Sequence, residues 1–136
     1  MILLAGGNTA LLEGLAQALA NTGQRVVVAH SLDEADELRA QEPAVLTVVE
    51  RGMVADSEPS RNFLRDALAG GGAVVTYREA GDTSRALPAL LARHVLADLV
   101  LPLERVRLVA LCEHVASRAR VVGRPGEVTR PDAPAS

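Results

Sequence analysis

Five short apolar runs, each followed by a stretch of helical periodicity, constrain this chain more than any other feature. They are Met1–Ala5, Arg25–Ala29, Ala44–Val49, Ala73–Tyr77 and Val95–Leu101. An unbroken apolar run bounded by turn residues fits a strand covered on both faces. Strand, helix, strand, repeated with short connections, gives a parallel sheet with helices on both sides. The expectation is a single α/β domain of five βα units, doubly wound. At 136 residues one domain suffices, and a chain of that size buries roughly two-thirds of its unfolded surface. The sequence shows no internal repeat.

The intervening segments carry helix signals. Asn8 or Thr9 caps a first helix in which Leu12, Leu15, Ala16 and Leu19 form one stripe, and Gly23 stops it. Ser31-Leu32-Asp33-Glu34 reads as a capping box, with Glu34 returning to the Ser31 amide, and Ala35 and Leu38 facing inward before Pro43. Residues 51–59 read as a polar loop. Ser60 caps a third helix bearing Phe63, Leu64, Ala67 and Leu68, and Gly70-Gly71-Gly72 reads as its closing turn rather than a phosphate cradle. A fourth helix, capped by Asp82 or Ser84, meets Pro88 beyond its first turn, so it is short, kinked or starts near Leu87. Pro102 opens a last helix to about Arg120, with Val106, Leu108, Ala110, Leu111, Cys112 and Val115 inward or at an interface. Residues 1–121 form the domain. From Val122 the chain turns polar and carries Pro125, Pro131 and Pro134, so 122–136 reads as a disordered tail.

Composition removes several function classes. Phe63 and Tyr77 are the only aromatics, which leaves no stacking platform for single-stranded nucleic acid. The net charge of −3 gives no general attraction to nucleic acid or anionic membrane. All 14 basic residues are Arg, so lysine-dependent chemistry is absent, and coding bias is the simplest cause. Cys112 has no partner for a disulfide and sits among apolar neighbours, as a buried inert thiol does. The start Met1-Ile2-Leu3-Leu4 has no basic region ahead of an apolar one, and no run approaches a membrane span. A soluble, cytoplasmic protein without membrane or nucleic-acid partner is expected.

Motifs of catalysis are missing. There is no G-x-G-x-x-G, no Walker A and no G-x-S-x-G. His30, His94 and His114 are scattered without partners at metal-ligand spacing, so neither a metal site nor a cofactor is expected. Asp33, Glu34, Asp36 and Glu37 spread round a helix as a solvated surface, and Arg118, Arg120, Arg124 and Arg130 make a basic end without a recognition element.

Three stretches carry a likeness: Ile2-Leu3-Leu4-Ala5-Gly6-Gly7-Asn8, Pro43 to Met53, and Leu99-Val100-Leu101-Pro102. Over about residues 1–121 the order and spacing resemble the receiver domain of bacterial response regulators. The resemblance implies a flavodoxin-like five-stranded parallel sheet with strand order 2-1-3-4-5. It also implies how the family's phosphorylation switch maps onto this chain. The Mg²⁺-holding acidic pair falls on Gly6 and Gly7, which have no carboxylate. The phosphoacceptor Asp falls on Val49, counting from Pro43, or on Glu50, counting back from Met53. The family's Lys falls on Leu101 and its strand-5 aromatic on Asp98, while its switch Ser or Thr is kept as Thr76. The chain thus resembles a degenerate pseudo-receiver.

Each of these positions also has a plainer reading. Thr76 is an ordinary strand-end hydroxyl or a retained switch residue. Glu50 is a solvated carboxylate or a constitutive acidic mimic. Gly6-Gly7 make a tight strand–helix turn or offer amides to an anion at the helix start. Two functions remain. The first is a non-enzymatic signalling module of two-component, phosphorelay type that binds a protein partner, or a second copy, without phosphorylation. Its surface is the helix 4–strand 5–helix 5 face, through Asp98, Leu103, Arg105, Val106 and Arg107. The second is a small-ligand module using the crevice near Gly6, Gly7, Asn8 and Thr76.

Overall fold

A computed structural model describes residues 1–54, 57–82 and 87–122. The strands are β1 (Ile2–Ala5), β2 (Val26–Ala29), β3 (Leu46–Glu50), β4 (Ala73–Glu79) and β5 (Ala97–Leu101). The α-helices are α1 (Thr9–Ala18), α2 (Leu32–Gln41), α3 (Glu58–Leu68), α4 (Ala89–Ala92) and α5 (Arg105–Val122). All strand pairs are parallel, in the order β2-β1-β3-β4-β5. The expected fold class and strand order are therefore found.

Side chains alternate across the pleat, so each strand feeds two cores. Leu3, Ala5, Val49 and Val74 pack with Ala35, Phe63, Leu64, Ala67 and Leu91 from α2, α3 and α4. Ile2, Leu4, Val48, Val75, Tyr77, Leu99 and Leu101 pack with Leu12 and Leu15 of α1 and Leu108 and Cys112 of α5. Leu108, Cys112 and Ala116 recur every four residues and form the buried stripe of α5.

Local chemistry sets the helix ends, and several differ from expectation. Asn8 caps α1 by accepting the Leu11 amide. Ser31 caps α2, but the Glu34 carboxylate takes the His30 amide at 2.7 Å rather than that of Ser31. Helix α3 is capped by Ser57, not Ser60. Pro59 explains this, because a residue without an N–H is tolerated in the first turn, so the helix must begin before it. Ser60 lies inside the helix and is buried. Asp82 closes the turn after β4 without capping α4, which starts after Pro88, and Ser84 lies outside the described residues. In the glycine run it is Gly72 that has no alternative. A Cβ there would lie 2.3 Å from the Ala67 carbonyl oxygen and 2.8 Å from that of Ala44. Helix α5 starts at Arg105 rather than Pro102; of the residues expected inward or at an interface, Leu108 and Cys112 are buried, while Val106 is 82% exposed and Ala110 is exposed. It extends to Val122, and the segment 123–136, read as a disordered tail, lies outside the described residues. No described helix is long and apolar enough to cross a membrane.

Cys112 is buried, and desolvation, with the charge of Glu113 second, pushes its thiol up to about 12. Reaction rates follow the thiolate fraction. At pH 8 the folded protein should react with a disulfide reagent about a thousandfold more slowly than the chain in urea. Equal rates would place Cys112 at the surface.

Candidate functional site

In a doubly wound sheet, ligands and switch groups gather at the carboxyl ends of the strands. Register lines these ends up in rungs. Ala5, Val49, Thr76 and Asp98 are paired across β1, β3, β4 and β5, and Glu50, Tyr77 and Leu99 form the next rung. Successive rungs face opposite sides of the sheet. Val49 and Thr76 therefore turn toward the α2–α3–α4 layer, and Glu50 and Tyr77 toward the α1–α5 layer. Val49 is fully buried beside Thr76. Glu50 is half-buried, and its carboxylate accepts the Gly7 amide at 2.9 Å.

Strand β4 runs to Glu79, two residues past the end read from the sequence. Tyr77 is thus no loop residue but a fully buried member of the core. Its hydroxyl rises into the place a side chain at position 6 would take. A Cβ on Gly6 would lie 2.0 Å from that oxygen and 3.4 Å from the Glu50 Oε1. The oxygen itself is buried without a hydrogen-bond partner among the described residues. Desolvation, then the charges of Glu50 and Glu79, pushes the Tyr77 phenol far above its usual value. It stays a neutral hydroxyl at any physiological pH.

Two further links lace the strand ends together. The Asn8 amide donates to Glu79 at 2.8 Å, tying the start of α1 to the end of β4. Thr76 Oγ1 donates to Asp98 Oδ1 at 2.9 Å, and the Arg51 guanidinium donates to Asp98 Oδ2 at 2.8 Å. The Arg51 side chain is only 10% exposed, so this ion pair is screened less than a surface one. The Thr76 hydroxyl is therefore held by a carboxylate that is itself held by a cation. Leu101 contributes nothing to the crevice; it is buried among Leu99, Leu108 and Cys112.

The partner-surface candidates lie on β5, in the turn after it and at the start of α5. Leu103 is 77% exposed, and Arg105, Val106 and Arg107 are exposed beside it. Asp98 joins this face to the crevice. Glu104 accepts the Val100 amide at 2.7 Å and the Arg107 guanidinium at 3.1 Å, and these bonds, the backbone one first, hold its carboxyl below its usual value.

Reading the sequence brought Gly6, Gly7, Asn8 and Thr76 to one crevice; in the structure Gly7 meets Glu50 and Asn8 meets Glu79, while Thr76 is fully buried against Asp98 on the other face of the sheet. It missed the roles of Arg51, Glu79 and Tyr77. A glycine facing the chain's single tyrosine across the sheet was the available signal.

The receiver likeness implies a Mg²⁺ ion among these groups. Positions 6 and 7 offer no carboxylate, the space over Gly6 is filled by Tyr77, and Glu50 is engaged by the Gly7 amide. Among the described residues no three His, Cys, Asp or Glu side chains gather to hold a metal. The residues present do not fit that ion.

No protein-family model matches the chain, and comparison with curated proteins gives no match. Solved structures do match. A response-regulator receiver domain from Clostridium thermocellum has a TM-score of 0.65 at 19% identity, covering 89% of this chain and 97% of that one. The receiver domain of AraT, a response regulator from Geobacillus stearothermophilus, has 0.66 at 19%, covering 88% and 96%. The N-terminal domain of a response regulator/sensory box/GGDEF three-domain protein from Carboxydothermus hydrogenoformans has 0.64 at 14%, covering 88% and 96%. At such identities the likeness is one of backbone architecture: this chain has the fold of the response-regulator receiver domain.

Proposed function

We propose that the chain is a receiver-like signalling module that acts by protein–protein contact and needs no phosphorylation. One observation carries the reading: the crevice is occupied and tied by the chain's own groups. Tyr77 stands over Gly6, Glu50 holds the Gly7 amide, and Thr76 is engaged by the Asp98–Arg51 pair. A hydroxyl already committed to Asp98 has no need of a phosphoryl group to fix its position. On this reading Glu50 is a structural carboxylate, and Val49, Gly6, Gly7 and Leu101 are core or turn positions. The chain then has no catalytic role. The same filling leaves less support for a small ligand at this crevice.

The contact surface we assign is the α4–β5–α5 face, with Leu103 and Val106 as apolar anchors among Arg105, Arg107 and Asp98. Exposed apolar side chains of this size, rimmed by charge, mark interaction sites more than they serve folding. Leu103→Glu with Val106→Glu should leave the melting temperature within about 2 °C, as surface changes do. The same double variant should lose self-association in sedimentation velocity, or binding to the cognate partner by calorimetry, at least tenfold. Unchanged association would remove this face from the account.

A further inference from the structure

On the side of the sheet away from α1 and α5, helices α3 and α4 enclose a cavity of about 390 Å³. That is within the size range of small-molecule sites. Its floor is apolar: Leu64 and Leu91 are buried and Leu68 is half-buried. Its rim is basic, with Arg61 and Arg65 from α3, and Arg93 just past α4. His94 adds an imidazole beside them. Among the described residues no carboxylate lines the cavity, although acidic residues outnumber basic ones in the chain by 17 to 14.

Folding does not call for the charges of Arg65 and Arg93. Arg61 and Arg65 are four residues apart on one helix face, where like charges are mildly unfavourable. Among the described residues Arg65 pairs with Asp66 at 3.8 Å, with both side chains largely exposed, and such a pair contributes little. Arg93 makes no ion pair with any described residue. Guanidinium groups are the side chains best suited to phosphate and carboxylate, because their planar fork matches two oxygens at once.

We propose that the α3–α4 cavity binds a small amphiphilic anion, its phosphate or carboxylate held by Arg65 and Arg93 and its hydrocarbon part laid on Leu64, Leu68 and Leu91. This site lies apart from the strand-end crevice and does not depend on the function assigned above.

The test is an amide-resolved NMR titration of the full chain with hexyl phosphate, with inorganic phosphate as the comparison. Each methylene fully buried is worth about fourfold in affinity. Hexyl phosphate should therefore bind at least tenfold tighter than inorganic phosphate, with saturable shifts confined to residues 58–68 and 88–94. Arg65→Ala and Arg93→Ala change exposed side chains, and each should weaken binding at least fivefold while leaving the melting temperature within about 2 °C. Equal binding of the two phosphates, shifts spread over all arginines, or variants that bind as the parent does would each overturn the proposal. So would an acidic leucine-bearing peptide that takes the same residues more than tenfold tighter than hexyl phosphate, because the site would then dock a protein segment.

Discussion

Gly6→Ala should destabilise the protein by about 3 kcal/mol, at the upper end of overpacking costs in a filled core. Gly6 is not among the glycines with positive φ, so its backbone tolerates a side chain. The obstacle is steric: the added methyl would lie 2.0 Å from the Tyr77 hydroxyl oxygen and 3.2 Å from the ring carbon bearing it. Tyr77 has no room to withdraw, being fully buried between α1 and α5. Two controls isolate this cause. Tyr77→Phe alone should change stability by less than about 1 kcal/mol, because the lost hydroxyl leaves no buried partner unsatisfied. Combined with Gly6→Ala, it should recover more than half the loss, a coupling that equilibrium urea unfolding measures directly. Additive effects in the double variant would show that the tyrosine does not fill the position.

Leu101→Lys, which places the receiver family's lysine where the resemblance puts it, should cost more than about 3 kcal/mol, the scale for a buried charge without a partner. Leu101 is fully buried against Leu108 and Cys112, so an ammonium there must shed its hydration or force the α5 packing apart. For a chain of this length the melting temperature should fall by roughly 10 °C. A variant melting with the parent would mean that residue 101 reaches the crevice, and that a cation is tolerated beside Glu50.

These two residues show what the sequence made legible. The sheet could be read because its signals are local: five apolar runs, capping serines and glycine stops. The strand order followed from the resemblance. Whether Leu101 faces the crevice or the core was not local. It depends on where β5 stops and on α5 lying across it. Tyr77 looked like a strand end because the run Ala73–Tyr77 gives way to Arg78 and Glu79, yet β4 continues to Glu79, and these last two residues run past the end of β3 and pair with β5 alone. The pair Arg51–Asp98 joins residues 47 apart, one just past the end of β3 and the other in β5, a relation that appears only once β4 lies between those strands. Helix α3 was misread by one turn although Pro59 carried the correction. Val106, expected inward or at an interface, is exposed because it lies two residues before Leu108 and so on the helix face opposite the stripe of Leu108, Cys112 and Ala116.

The central claim is that this receiver fold is fixed in one conformation by its own side chains and does not respond to phosphodonors. An acyl phosphate forms when a carboxylate attacks phosphorus while a metal ion and a cation neutralise the phosphoryl oxygens. Here Gly6 and Gly7 supply no metal ligand and Leu101 no cation, and the Glu50 carboxylate is committed to the Gly7 amide. Its extra methylene relative to Asp also displaces the nucleophile, and misplacement by ~1 Å can cost about 100-fold. The most direct measurement is to incubate the protein with acetyl phosphate and Mg²⁺, then record intact mass and amide chemical shifts together. The account predicts an unchanged mass and unmoved amides at Gly6, Gly7, Thr76 and Asp98. A stoichiometric gain of one phosphoryl group, abolished by Glu50→Gln and accompanied by shifts along β5, would contradict it.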